Sequence, residues 1–359
     1  MAKLKIGLVF GGKSREHEVS IKSVKIVLDN LDKEKYEVVP IAITKQGSWL
    51  IGEKGHEYMH QNLPLAHQEG GISIEQSQSL VISSGEQDLS NFSAGDFVNQ
   101  KIDLMFPVGH GEYIEDGRLQ GMFEMLGIPY VFSGTLSSAL AMDKSKTKLI
   151  AKNAGLKVAK EIKLDKKQKS HPEKIVKKLG LPVVVKPVSA GSSVGVNICN
   201  DEDDLEGKIS KALEKNNEVM LEQFIKGREL TVAVMGNKNP KAMPVIEIIP
   251  KVAGFFSYEA KYQQGGSEEI CPAEIPEEIR KKVQKYAVKV FKALDCQDLA
   301  RADFIWSEDD NKLYFLEINT IPGMTATSLA PKAAQAAGMS FPQFLDKLID
   351  LAIKRNKKS

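Results

Sequence analysis

Residues 301–323 read RADFIWSEDDNKLYFLEINTIPG, two apolar runs on either side of a polar loop. Both runs are rich in aromatic and branched side chains, so the stretch predicts a β-hairpin with a short polar connection. Side chains alternate between the faces of a strand, so Arg301 and Asp303 share one face. By the same count, Glu317 and Asn319 share one face of the second strand. Burying such groups costs free energy unless something pairs with them, which makes all four candidate functional residues.

Three of these side chains form an oxygen-rich set that suits a hard cation. Asp303 and Glu317 offer carboxylates, and Asn319 offers an amide oxygen. Mg²⁺ prefers oxygen ligands and completes its shell with water and substrate phosphate. The alternative, a surface hairpin whose polar residues face water, stays open on this stretch alone.

Length and composition narrow the class of protein. A chain of 359 residues exceeds the usual size of one core and predicts two or three domains. Its 49 basic and 47 acidic residues give no reason to expect nucleic acid or an acidic membrane. The three cysteines are far apart, which fits a reducing cytoplasm, and we see neither a signal segment nor a run long enough to span a bilayer. We expect a soluble cytoplasmic protein of mixed α/β type.

The N-terminal part predicts a parallel β–α–β unit. An apolar strand at 4–10 leads into Gly11-Gly12, then a helical pattern, then a strand at 36–43. Such a unit places a ligand crevice beyond the carboxyl end of the first strand, although a plain tight turn is the alternative. Residues 44–100 are polar, and we expect one or two edge strands near 80–83 with loops elsewhere.

A second loop is predicted at the same sheet edge. A buried strand at 102–107 precedes HGEYIEDGRLQ at 110–120, which opens a helix over 119–126. His110 therefore also follows the carboxyl end of a strand, where parallel sheets bind ligands. The acidic residues have a plain alternative explanation, since they favour a helix N-terminus.

The middle of the chain carries a candidate phosphate site. We expect one helix from 137 to 154, ended by Gly155, and later a strand that ends at Lys186. The loop at 189–196, SAGSSVGV, combines glycines and hydroxyls that can surround an anion, although a hairpin turn would also explain it.

The remaining stretches predict a nucleotide slot and a lid. Strands at 219–225 and 230–235 flank a short linker with Glu229, an arrangement that suits a base and its ribose. A further strand is expected at 242–250, and the long loop at 255–272 is typical of a lid. Helices follow at 276–294 and 341–353.

Six motifs together resemble a known family. They are HGEYIEDGRLQ (110–120), AMDK (141–144), VKP (185–187) with GSSVG (191–195), EAKY (259–262), CPA (271–273) and LEINTIPGMT (316–325). In this order they are similar to the D-alanine–D-alanine ligases of the ATP-grasp superfamily, and the resemblance covers nearly the whole chain. One departure is Ile114, where the family commonly has glycine.

The resemblance implies an α/β fold, α+β overall, with a parallel-sheet domain before two α+β domains that clamp ATP. We place these domains at residues 1–135, 136–228 and 229–359. The implied reaction joins two D-alanines through a D-alanyl phosphate, with release of ADP and phosphate, for peptidoglycan precursor synthesis. A homodimer is implied as well.

The resemblance also implies roles for the nucleotide-side residues. Asp303, Glu317 and Asn319 would hold two Mg²⁺ ions, with Mn²⁺ as a substitute. The residues implied in binding ATP are Lys144 and Lys186 on phosphates, Ser192 and Ser193 on the Gly/Ser loop, Glu222, Phe224, Ile225 and Phe304 at the base, and Glu229 at the ribose.

The implied amino-acid side is a separate set. Glu16 and His110 would hold the first D-alanine, Arg301 and the Gly323 N–H would stabilise the oxyanion, and Ser328 and Leu329 would bind the second carboxylate. Ser192 and Tyr262 would meet over the site as a closing lid, and Lys261 is implied in substrate binding. One alternative is another ATP-grasp carboxylate–amine ligase that uses a different acceptor substrate, and the EAKY motif argues against it. A catalytically silent nucleotide-binding protein is disfavoured because the metal ligands, both lysines and Arg301 are present.

Overall fold

In the computed structural model, the described residues are 2–14, 16–63, 101–188, 195–251, 266–325 and 327–357. The expected strand near 80–83, most of the Gly/Ser loop and most of the predicted lid lie outside these ranges. The helices are His17–Asn30 (α1), Glu53–Asn62 (α2), Arg118–Met125 (α3), Thr135–Met142 (α4), Lys144–Asn153 (α5), Pro172–Leu179 (α6), Glu202–Lys215 (α7), Glu277–Ala293 (α8), Leu329–Ala336 (α9) and Phe341–Asn356 (α10). The strands are Leu4–Gly11 (β1), Tyr36–Ile43 (β2), Trp49–Ile51 (β3), Leu104–Val108 (β4), Lys157–Val158 (β5), Glu161–Asp165 (β6), Val183–Pro187 (β7), Asn197–Cys199 (β8), Glu218–Gln223 (β9), Gly227–Met235 (β10), Lys241–Ala242 (β11), Ile246–Pro250 (β12), Ser267–Ile270 (β13), Leu299–Ser307 (β14) and Leu313–Asn319 (β15).

The first sheet confirms the predicted β–α–β unit. Its strand order is β3-β2-β1-β4, and β1 runs parallel to both β2 and β4. Gly11 ends β1 with φ of +89°, and a Cβ there would lie 2.2 Å from the Ile43 carbonyl oxygen, so only glycine fits this turn. The loops after β1 and β4 therefore leave the sheet at one edge, which brings the two predicted loops together.

Two further sheets complete the described structure. An antiparallel sheet of order β6-β9-β7-β8 is covered by α6 and α7. A larger sheet runs β13-β12-β10-β14-β15-β5, with β11 added beside β10. The predicted hairpin is β14 and β15, at the centre of this larger sheet. The domain boundaries given above stay a prediction.

Alternation along β10 shows how the larger sheet positions the hairpin. Leu230, Val232 and Val234 pack into the core that includes α8. Ala233 and Met235 face the other way and join the core of the N-terminal sheet and α10. Arg301 pairs with Ala233 in β10, so the polar face of the hairpin looks toward the N-terminal part of the chain.

Several local expectations are wrong. The single helix expected over 137–154 is two helices, because Asp143 has φ of −86° and ψ of 99° and caps α5 by accepting from the Lys146 N–H. The strand expected over 242–250 is split into β11 and β12. Residues 49–62, expected to be loop, form β3 and α2, and β13 and α9 were not anticipated. None of the helices in the described ranges has the length and apolar character that crossing a membrane requires.

A buried ion pair joins the last helix to the N-terminal part. Asp298 is fully buried and accepts from the Phe132 N–H at 2.9 Å and from Arg355 Nη1 at 2.8 Å. Arg355, on α10, also donates to the carbonyls of Phe132 and Tyr130 at 2.8 and 2.6 Å. One guanidinium therefore holds three segments that are distant in sequence.

This junction predicts a large stability loss on Arg355→Met. The variant leaves the Asp298 carboxylate buried without its counter-ion, which costs about 3–5 kcal/mol of unfolding free energy. Urea unfolding of the two proteins measures the difference. Lys354→Met is the matched control, because its pair with Asp350 is exposed and is worth about 1 kcal/mol or less. Equal losses in the two variants would contradict the assignment.

Candidate active site

The hairpin brings the four predicted polar residues onto one face. Across the antiparallel pair Arg301 lies opposite Asn319, and Asp303 lies opposite Glu317. Directly opposite residues in such a pair project to the same face of the sheet. The register shifts immediately after Asp303, so the irregularity lies next to the charged residues. The predicted shared faces are confirmed.

Arg301 and Asp303 are joined to each other. The guanidinium donates to both carboxylate oxygens, Nε to Oδ1 at 2.9 Å and Nη2 to Oδ2 at 2.8 Å. Thr231 Oγ1 donates a third hydrogen bond to Asp303 at 2.5 Å. Burial opposes the charge on Arg301, yet Asp303 outweighs it and raises the pKa of the guanidinium. The candidate metal ligand and the candidate oxyanion residue are therefore one hydrogen-bonded unit.

The candidate phosphate lysines lie against carboxylates of neighbouring elements. Lys144, the first residue of α5, is 3.1 Å from Glu317. Lys186, at the end of β7, is 2.5 Å from Glu222. Burial lowers the pKa of Lys186 to about 8, and the nearby charge of Lys144 adds to this effect. The two ammonium groups are therefore close enough to interact electrostatically, which is expected of two ligands of one polyphosphate.

The oxygen donors fit a hard cation. Asp303, Glu317 and Asn319 lie on two register pairs that are separated by one pair, so they share a face of the hairpin. The Asn319 Oδ1 accepts from the Ile321 N–H at 2.9 Å, which fixes its orientation. All three offer oxygen, the ligand type that Mg²⁺ prefers. Within the described ranges no group of three His, Cys, Asp or Glu side chains could hold a metal, so any ion here relies on the Asn319 amide, water or substrate oxygens.

The loops of the N-terminal sheet supply a second, buried group of polar residues. Glu16, at the start of α1, and His110, after β4, are 4% and 7% exposed. A Cβ on Gly111 would lie 3.2 Å from Glu16 Oε2, which places that carboxylate on the His110 loop. Ile114, the departure from the family pattern, is fully buried beneath Gly12 and Gly109.

Glycine 323 connects this group to the hairpin. A Cβ on Gly323 would lie 2.8 Å from Ser328 Oγ and 3.9 Å from His110 Nε2. Ser328 precedes α9, and its hydroxyl contacts Thr325 Oγ1 at 2.7 Å. The side chain of Leu329 is buried. The residues predicted for both substrate positions therefore lie around one cleft.

The carboxylate of Glu115 sets the charge state of His110. Its Oε1 is 3.6 Å from His110 Nδ1, and its Oε2 accepts from the Gly111 N–H. Burial acts to lower the pKa of His110, but Glu115, aided by Glu16, outweighs burial and raises it. Glu115 therefore stabilises the charged form of His110, and the nearby Arg301 charge opposes this effect.

The predicted base slot is only partly assembled by the described residues. Glu222 lies on the central strand β9, opposite Glu161 and Val184, and the Phe224 N–H donates to the Pro182 carbonyl at 3.3 Å. Ile225 is buried, and Glu229 on β10 lies opposite Ile248 and Ile305. Phe304 lies inside the core in T-shaped contact with Phe315, away from the charged groups. Ser192, Ser193, Lys261 and Tyr262 lie outside the described ranges.

Sequence reasoning missed two charged residues at the site. Glu115 pairs with His110, and its position in the HGEYIEDGRLQ motif could have indicated a role at the site. Lys148 is 1% exposed and touches Glu222. Its position one helical turn after Lys144 could have indicated a shared face.

The parallel N-terminal unit, the two flanking sheets and the charged cleft define an α/β protein of ATP-grasp architecture. Models of the D-ala D-ala ligase N-terminus and C-terminus match residues 5–133 and 150–350. The chain belongs to the D-alanine–D-alanine ligase family.

Individual relatives agree with this assignment. The chain is 38% identical over 363 residues to a D-alanine–D-alanine ligase of Shouchella clausii, covering 100% of this chain and 97% of the relative. It is 40% identical over 364 residues to one of Acetivibrio thermocellus, covering 98% and 96%.

Solved structures show the same fold. The VanG D-Ala:D-Ser ligase from Enterococcus faecalis superposes with a TM-score of 0.80 at 34% identity, covering 98% of this chain and all of that one. The D-alanine–D-alanine ligase from Bacillus anthracis complexed with ATP gives a TM-score of 0.74 at 32% identity, covering 99% of each chain.

The His110 pair predicts a measurable titration. Its imidazole should titrate above pH 6.5, and Glu115→Gln should lower the pKa because the counter-charge is removed. NMR titration of the ring protons checks both values. A histidine whose folded pKa is raised contributes stability in full below the unfolded pKa of about 6.5, and that stability is lost as pH rises through the folded pKa. Glu112→Gln, an exposed carboxylate on the same loop, is the control and should leave the His110 titration unchanged.

Proposed function

We propose that this protein joins two D-alanines into D-alanyl-D-alanine, using ATP and releasing ADP and phosphate. One observation carries the proposal. A face of lysines and carboxylates on the ATP-grasp sheets lies near the Glu16 and His110 loops around Gly323, and this proximity supports phosphate chemistry beside an amino-acid site. Family membership supports the same reaction, and the product is a peptidoglycan precursor.

The reaction needs activation because a carboxylate and an amine do not condense in water at useful rates. The carboxylate oxygen of the first D-alanine takes the γ-phosphoryl group of ATP, which breaks the bond to ADP and forms D-alanyl phosphate. The neutral amine of the second D-alanine attacks the carbonyl carbon and forms a tetrahedral intermediate. Collapse of that intermediate expels phosphate and leaves the peptide, and the amine loses its proton.

Lysines and oxygen ligands would serve the phosphate side. Lys144 and Lys186 would contact ATP phosphates as point charges, each exchanging a carboxylate partner for phosphate oxygen. Asp303, Glu317 and Asn319 would hold Mg²⁺, which when bound offsets charge on the transferring phosphoryl group. Glu229 would bind the ribose hydroxyls of ATP.

The amino-acid side would use the N-terminal loops. Glu16 would hold the first D-alanine's ammonium, and His110 would hold its carboxylate side. Arg301 and the Gly323 N–H would stabilise the oxyanion, a preorganised arrangement whose donors are each worth about 3–4 kcal/mol. The N-terminus of α9, with Ser328 and Leu329, would take the second carboxylate. A homodimer in the cytoplasm is part of the same proposal and rests on the resemblance alone.

An acceptor survey tests the proposal. ADP release is measured at fixed Mg·ATP with D-alanine, D-serine, D-lactate or L-alanine, and products are identified by mass. D-alanine alone should support turnover and yield the dipeptide, whereas L-alanine should give background release. D-serine belongs in the survey because the VanG neighbour is a D-Ala:D-Ser ligase. Preferred formation of a mixed product would replace the dipeptide assignment.

Paired substitutions test the division of roles on the hairpin. Asp303→Asn should raise the Mg²⁺ concentration needed for half-maximal activity, because one carboxylate ligand becomes a weaker amide. Arg301→Ala should lower kcat by about 10²–10³, the loss typical of one oxyanion donor.

Mg²⁺ titrations and kcat are measured for both variants, with Glu308→Gln as a control. Glu308 lies in the exposed hairpin loop and pairs with Lys226 on the surface. Identical kinetic defects in the two site variants would show that the ion pair acts as one unit and would reject separate roles.

A further inference from the structure

Lys148 is a charged residue in the protein interior that neither the sequence motifs nor the proposed mechanism uses. It lies on α5, one helical turn after Lys144, and its side chain is 1% exposed. An ammonium taken out of water is costly unless an anion compensates for it. Burial and the nearby Lys186 charge lower the pKa of Lys148 well below its usual value, so its charged form depends on the carboxylates around it.

Glu222 connects Lys148 to the phosphate site. One Glu222 oxygen touches the Lys148 ammonium, and the other accepts from Lys186 at 2.5 Å. Glu161 approaches Lys148 at 3.9 Å and accepts from Ser145 Oγ at 3.0 Å. Glu161 and Glu222 are register partners on β6 and β9, so both carboxylates project from the same face of the sheet.

The charged groups form a set whose formal charges cancel without a ligand. Three lysines face three carboxylates on one helix and four strands, namely Lys144, Lys148, Lys186, Glu161, Glu222 and Glu317. If a phosphate binds Lys186, Glu222 loses that lysine as a cationic partner. The side chain of Glu222 is only 4% exposed. A buried carboxylate left without a cation would oppose that exchange.

We propose that Lys148 is a positioning residue for ATP binding. It keeps a cation on Glu222 when Lys186 turns to the nucleotide phosphates, so the exchange leaves no buried carboxylate unpaired. Lys148 touches Glu222, which also pairs with Lys186, so it would act on the nucleotide through these two residues. This inference rests on the proposed use of ATP at this site.

Lys148→Met tests the inference in the full-length enzyme. The dissociation constants of ATP and ADP, measured by calorimetry with Mg²⁺, and KM for ATP should rise about tenfold or more, the penalty expected when a buried charged group loses its partner. The value of kcat should stay within about threefold of the parent value, because Lys148 faces Glu161 and Glu222 inside the protein and would act on binding through them. Lys148→Arg keeps a cation and should restore most of the affinity. Lys152→Met, on the exposed side of the same helix, is the matched control and should bind ATP like the parent.

A double-mutant cycle with Glu222→Gln separates positioning from packing. Once the carboxylate is neutral, Lys148→Met should weaken ATP binding far less than it does in the parent background. The double variant also lacks both buried charges, so it provides the readout if Lys148→Met alone fails to fold.

Three outcomes overturn the inference. They are parental ATP affinity in folded Lys148→Met, equal defects in the Met and Arg variants, and additive effects across the cycle. Product formation by the parent enzyme is measured separately from these ATP affinities. An enzyme that binds ATP without forming D-alanyl-D-alanine would refute the proposed function, and the affinity comparison would still decide the role of Lys148.

Discussion

Compensation of buried charge is the constraint on which the cleft depends. Arg301 pairs with Asp303, Lys144 with Glu317, and Lys186 with Glu222, each at hydrogen-bond distance. The proposed site for a polyphosphate and a metal ion has charges of both signs in a poorly solvated space. Unpaired, these groups would destabilise the fold. Paired, they are held in place, and under the proposed function ligand binding would exchange their partners.

Strand register makes this compensation possible. The register of β14 and β15 places Arg301 opposite Asn319 and Asp303 opposite Glu317. All four side chains are therefore held on strands and not on a loop. The same rule places Glu161 beside Glu222 on the middle sheet. Helix α5 then brings its lysines between the two sheets. Groups held on strands and helices keep their geometry better than groups on loops.

The sequence was most informative where side-chain periodicity is local. Alternation in 301–323 predicted the hairpin and its shared faces, and the apolar strands predicted the N-terminal unit. Prediction from the sequence failed at Asp143, where one capping side chain divides a continuous helical pattern. It also failed at α2, because the polar composition of this helix gave no sign of its contacts with β2 and β3. The pairing of Arg301 with Asp303 and the burial of Lys148 depend on tertiary contacts, which no local pattern contains.

The position of α10 has a consequence for biosynthesis. This helix is the last element of the chain, yet Phe344, Leu345 and Leu348 complete the core of the N-terminal sheet, and Asp346 accepts from Tyr36 at 2.9 Å. The strands of the N-terminal sheet therefore lack part of their apolar cover until α10 has been synthesised. Nascent chains that lack α10 would expose that surface, so chaperone dependence should fall once α10 has been made.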